Sequence, residues 1–161
     1  MAWARTLTPG PITLCAVSEW GNGEGVRMNN KVILVVDEEA EMLRLLETTL
    51  RQHGFVVMKA QSAGLALHLV QSLTPNLFVV DGALPEMDGI QLIRKIRANP
   101  STAKTPVIVF AEQDTARSQN DAYDAGANTF LSKTSLLRVL VPEVLSLLNQ
   151  PNGRRSQAHS G

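Results

Sequence analysis

The chain has 161 residues, enough for one domain with short flanks. Hydrophobic residues make up 44%, so a packed core can form, and fifteen basic residues cancel fifteen acidic ones, which removes any global pull toward nucleic acid or an anionic membrane. The one cysteine, Cys15, excludes an internal disulfide, the absence of Cys/His clusters argues against zinc, and the apolar stretches are only strand-length; a cytoplasmic protein with no membrane segment is expected.

Residues 1–28 carry no sustained helical or strand period. The apolar patch Ile12–Val17 is too short for a secretory signal and follows a Pro9-Gly10-Pro11 break. The run GNGEG at 21–25 lacks the preceding strand and third glycine of a dinucleotide loop. This segment is expected to be a disordered extension, or one wrongly placed ahead of a natural start at Met28. Codons for Glu24-Gly25 can contain a ribosome-binding GAGG, and a strand follows Met28 almost at once. The folded domain is expected over 29–149 and a disordered polar tail over 150–161.

The elements then alternate. Val32–Val36 is a β-branched apolar run that predicts a buried strand. Glu38–His53 predicts a helix, with Met42, Leu45, Leu46, Thr49 and Leu50 on its apolar side and Gly54 as its stop. Phe55–Ala60 is the second strand; Ser62 caps a helix through about Leu73, with Leu65, Leu69 and Leu73 as its stripe. Leu77–Val80 is the third strand, and Ile90–Ala98 a helix whose Arg94, Lys95 and Arg97 read as a solvated face. Val107–Phe110 is the fourth strand, Thr115–Ala125 a polar helix of low propensity, Thr129–Leu131 the fifth strand, and Leu136–Leu148 the last helix. Pro142 inside that last pattern predicts a kink, or a regular helix beginning only near Val141. Five strand–helix pairs imply an α/β, flavodoxin-like, doubly wound (βα)5 fold. Its five-stranded parallel sheet, in the order 2-1-3-4-5, has helices on both faces.

In such sheets ligands meet the carboxyl ends of the strands. The first strand runs out in Asp37, Glu38 and Glu39, the third in Asp81, the fourth in Ala111 and Glu112, and the fifth in Ser132, Lys133 and Thr134. Neighbouring first and third strands bring the acids together. Carboxylates about 4 Å apart repel by roughly 4 kcal/mol at an effective dielectric near 20, so a cation must intervene or a proton stay bound. Hard oxygen ligands in an open crevice suit Mg²⁺. With Lys133 on the other flank, the site is one that could neutralise an incoming phosphoryl group.

The stretches KVILVVDEEAEMLRLLE, LFVVDGALPEMDG, TPVIVFAE and DAGANTFLSK, in this order between Lys31 and Asn149, resemble response-regulator receiver domains. The resemblance implies that Asp81 accepts a phosphoryl group from the phosphohistidine of a sensor histidine kinase or phosphotransfer protein. It implies that Asp37, Glu38, Asp81 and the backbone carbonyl of Ala83 hold Mg²⁺, and that Lys133 contacts the phosphoryl oxygens. Ala111 and Phe130 occupy the switch positions.

Four positions depart from the usual pattern: Glu38 where Asp is commoner, Ala111 in place of a Ser/Thr hydroxyl, Phe130 without a hydroxyl, and Thr134 where proline is usual. The expected function is a stand-alone, non-enzymatic phosphoacceptor of chemotaxis type. It would signal to an unidentified downstream protein through protein contacts, without touching nucleic acid or membrane. Ala111 and Thr134 motivate the alternative, a degenerate receiver whose interactions do not depend on phosphate. A flavin-binding reading fails on the acids after the first strand, and a haloacid-type hydrolase on Ala83, where a second Asp would be needed.

Overall fold

The computed structural model describes residues 30–113 and 115–150. Residues 1–29 and 151–161, with the expected extension, start site and tail, lie outside the described residues. The elements run β1 (Val32–Val36), α1 (Ala40–Gln52), β2 (Val56–Ala60), α2 (Ala63–Leu69), β3 (Leu77–Asp81), α3 (Gly89–Ala98), β4 (Val107–Ala111), α4 (Ala116–Ala125), β5 (Thr129–Ser132) and α5 (Leu136–Asn149). The five strands are all parallel in the order β2-β1-β3-β4-β5, as the alternation predicts.

Successive residues of a strand point to opposite faces, and helices cover both faces, which is why the strands are apolar throughout. Leu34, Val36, Phe78, Val80, Val107 and Val109 pack with Ala63, Ala66, Leu92, Ile93, Ile96, Ala122 and Ala125 of α2–α4. Ile33, Val35, Leu77, Val79, Ile108 and Phe110 face the other way, toward Leu43, Leu46 and Leu50 of α1 and Leu136, Leu140, Val144 and Leu147 of α5. Met42 and Met58 are partly buried packing residues, as expected.

Three expectations are corrected. α2 is about one turn shorter than its sequence pattern, ending at Leu69 rather than about Leu73. It packs through Ala63, Ala66 and Val70, while Leu65 is 42% exposed. Small residues let this helix approach the sheet closely, so volume at the interface overrides the leucine stripe. In α1 the inward face is Leu43, Leu46 and Leu50; Leu45 stands outside. The late start near Val141 does not occur: α5 runs from Leu136 to Asn149 with Pro142 inside it. The proline is exposed, and the buried residues on either side of it, Leu140, Val141 and Val144, supply packing that offsets the lost amide donor.

The largest correction concerns Arg97. It is not on a solvated face: its guanidinium donates to the carbonyls of Gly126 (2.9 Å), Thr102 (3.3 Å), Ala103 (3.2 Å) and Thr105 (2.6 Å) and to Asn128 Oδ1 (2.9 Å). It thereby ties the end of α3, the loop before β4 and the turn before β5. Gly126 caps α4 at φ 113°, and a Cβ there would meet the Arg97 side chain at 2.9 Å. Arg94 and Lys95 are exposed, as expected.

Candidate functional site

β1 and β3 are hydrogen-bonded neighbours, so the acids that follow or end them lie side by side at the carboxyl edge. Asp81 is the last residue of β3 and only 3% exposed. Its Oδ1 accepts the Ala83 amide at 3.0 Å, and its Oδ2 accepts Lys133 Nζ at 3.1 Å. Asp37 is fully buried. Its backbone amide donates to the Ala60 carbonyl at 3.1 Å, while its Oδ1 accepts the Glu39 amide at 2.8 Å. The other oxygen, Oδ2, is buried and has no hydrogen-bond partner; Lys133 Nζ is 3.9 Å away.

Lys133 arrives from the opposite flank. β5 pairs with β4 up to Ala111 and Ser132, and the Lys133 amide then donates to the Ala111 carbonyl at 2.9 Å. The ladder thus extends one bond beyond the strand and orients the lysine toward Asp81. Its ammonium also lies over the Phe110 ring, 5.5 Å from the centroid, a favourable cation–π placement.

The electrostatics follow from burial and charge. Desolvation raises the Asp37 carboxyl to about 6, helped by the Asp81 charge and opposed by the Glu39 amide bond and by Lys133. Burial works to lower the Lys133 ammonium, but its hydrogen bond to Asp81 and the charges of Asp81, Asp37 and Glu39 prevail, so the net shift is upward. The lysine therefore stays cationic at neutral pH.

The loop after Asp81 closes tightly. Asp88 caps α3 by accepting the Gln91 amide at 2.7 Å, and Gly89 donates to the Gly82 carbonyl at 3.2 Å. A Cβ on Gly89 would sit 2.4 Å from the Asp81 carbonyl oxygen and 2.9 Å from Gly82 Cα, so only glycine allows this approach. Above the acids opens a cavity of about 490 Å³, whose lining includes Glu38, Asp81, Ala83, Ala111, Phe130 and Lys133.

The structure thus gathers Asp37, Asp81 and Lys133 at one point, with Glu38 and Ala83 on the cavity wall. No three Asp, Glu, His or Cys side chains among the described residues form a metal cluster by themselves. The donors shown at this point are the carboxylates of Asp37 and Asp81, with open space for water in the cavity. All are hard oxygens, and the buried Asp37 Oδ2, without a hydrogen-bond partner, has room for one more ligand. The set fits Mg²⁺, which keeps several waters.

Residues 33–144 match the family model for the response regulator receiver domain. The chain belongs to this family. The receiver is 36% identical over 101 residues, 63% of the chain and 77% of the relative, to an uncharacterized 14.6 kDa protein from Leptolyngbya boryana. It is 30% identical over 118 residues to the response regulator MprA of Mycolicibacterium vanbaalenii, covering 73% of the chain but only 50% of MprA. The crystal structure of a putative response regulator from Chloroflexus aurantiacus superposes with a TM-score of 0.72 at 29% identity, covering 76% of this chain and all of that one.

The receiver's departures now have places. Ala111 ends β4 and puts a methyl group, not a hydroxyl, at its own place on the cavity wall. Phe130 is 8% exposed, and its backbone amide donates to Tyr123 Oη at 3.3 Å. The Thr134 hydroxyl pairs with Ser132 Oγ at 2.8 Å, and no described peptide is cis. Sequence reasoning missed Arg97 and Tyr123. Nothing in a basic helix end or a lone tyrosine announces that distant segments come to it.

Proposed function

We propose that this receiver accepts a phosphoryl group on Asp81 from the phosphohistidine of a sensor kinase or phosphotransfer protein, and signals to a downstream protein through its surface. The single observation that supports this is the shared ammonium: Lys133 Nζ reaches both Asp81 Oδ2 and the buried Asp37 Oδ2, which has no hydrogen-bond partner. A carboxylate held at a rigid strand end by the Ala83 amide and Lys133 is oriented as a nucleophile. Asp37, Asp81 and the Ala83 carbonyl would hold Mg²⁺, with Glu38 reaching it directly or through water. The ion supplies charge neutralisation at the transferring phosphoryl group. Lys133 would pair with the phosphoryl oxygens from the other side.

Ala111 favours a second reading, an interaction module indifferent to phosphate, because the hydroxyl that would contact the phosphoryl group is absent. Intact-mass spectrometry after incubation with phosphoramidate and Mg²⁺ separates the two. Gain of one phosphoryl unit by the wild type and none by Asp81→Ala supports the acceptor. An unmodified wild type with this donor and with every kinase tried would leave the second reading.

A further inference from the structure

Lys133 reaches the acids by crossing a strand. On that side the sheet runs β3-β4-β5; Asp81 ends β3 and Lys133 follows β5. The gap between those two strands is about 10 Å at the usual spacing, and β4 lies within it. The β4 residue beneath the crossing is Phe110. It is the register partner of Asp81 on one side and of Leu131 on the other, and side-chain alternation puts Phe110, Asp81 and Lys133 on one face of the sheet. Phe110 is fully buried in the layer under α1 and α5, so packing fixes its ring. Lys133 Nζ stands over that ring, 5.5 Å from the centroid and within the range of cation–π attraction. From there it lies 3.1 Å from Asp81 Oδ2 and 3.9 Å from Asp37 Oδ2.

Any apolar side chain of this size would fill the core at 110, but only an aromatic face also attracts a charge. The lysine stem is flexible, and the cavity it enters is lined by Glu38, Glu39 and Glu112 as well. All three are exposed, and their carboxylates compete with Asp81 for the ammonium. A ring face holds a cation without occupying an N–H, so the ammonium donors stay available for oxygens. The ammonium can then turn from the Asp81 carboxylate to the oxygens of an arriving phosphoryl group without leaving the ring. Resting on the reading of Asp81 as acceptor, we infer that Phe110 is a positioning residue for phosphoryl transfer: its ring face, not its bulk, keeps the Lys133 ammonium at the acid pair while Asp81 reacts.

The test changes the charge of the ring and keeps its shape. In the full chain, the phenylalanine at 110 is replaced by its 4-fluoro, 3,5-difluoro and 3,4,5-trifluoro forms, each fluorine drawing negative charge off the ring face. Phosphorylation by phosphoramidate with Mg²⁺ is followed by intact mass. The rate should fall stepwise along the series, by about fivefold in all. The same series at Phe78, equally buried but on the other face of the sheet, should leave the rate unchanged. In a Lys133→Met background the series at 110 should leave the residual rate unchanged too, because the partner of the ring is gone. A thermal melt shows that each protein is folded, and the first two steps carry the trend if the trifluoro protein does not fold. A flat rate along the 110 series, in protein that phosphoramidate does modify, overturns the inference and leaves the acceptor intact. So does an equal fall at Phe78 or in Lys133→Met. Failure of phosphoramidate to modify wild-type protein under any condition removes the acceptor reading, and the role of Phe110 with it.

Discussion

Asp37 is placed where an ionised carboxylate is costly, and replacing it with asparagine should expose that cost. In the folded protein its carboxyl titrates near 6, against 3.8 for the unperturbed group, chiefly because burial disfavours the charge. The folded state therefore holds a proton between about pH 4 and 6 that the unfolded chain has already released. Stability falls as pH rises through that window and stays lower above it. At about 1.4 kcal/mol per pKa unit, the loss amounts to roughly 3 kcal/mol. Asp37→Asn keeps an oxygen for the Glu39 amide but carries no charge. Without divalent metal it should be more stable than wild type at pH 7.5 by up to roughly 3 kcal/mol, or about 10 °C in melting temperature for a domain of this size. The two proteins should converge at pH 4. Mg²⁺ should stabilise the wild type in proportion to its occupancy and leave the variant unmoved. Urea denaturation midpoints from pH 4 to 8, with and without Mg²⁺, measure all of this. An Asp37→Asn protein less stable than wild type at pH 7.5 in the absence of metal would refute the reasoning.

Three further outcomes follow from the same geometry. Arg97→Met strands carbonyl acceptors at Gly126, Thr102, Ala103 and Thr105 and should lower stability by roughly 3 kcal/mol; Arg94→Met on the exposed face should stay within about 0.5 kcal/mol. Equal urea midpoints for the pair would contradict the role given to Arg97. Gly89→Ala must displace the Asp81 carbonyl or α3, since its Cβ would lie 2.4 Å from that oxygen. It should cost about 1–3 kcal/mol and weaken Mg²⁺ binding, read by titration calorimetry; unchanged metal affinity would show that the loop does not set the site. Lys133→Met removes the ammonium shared by Asp81 and Asp37 and should slow phosphorylation by phosphoramidate about 100-fold or more. A rate within a few-fold of wild type would assign the phosphoryl contact elsewhere.

The sequence by itself determined the architecture. Five apolar strand runs separated by helical periods admit few right-handed parallel topologies, and the observed sheet has the order that reasoning selected. It also named which acids and which lysine end the strands, because a buried run that stops at a carboxylate is visible as a string. Tertiary structure alone decided which of several apolar stripes faces inward. On α2 the fully buried residues are the alanines Ala63 and Ala66, with Leu67 and Leu69 only partly buried beside them, since close approach depends on the space left by the facing layer. It alone turned Arg97 inward, because the five carbonyl and amide oxygens that receive its guanidinium come from segments up to 31 residues away. It also separated Asp37 from Glu38: one is wholly buried with an oxygen that has no hydrogen-bond partner, the other sits exposed on the cavity rim. Desolvation belongs to the packed environment of an atom, and adjacent letters in a sequence can have opposite surroundings once the chain turns.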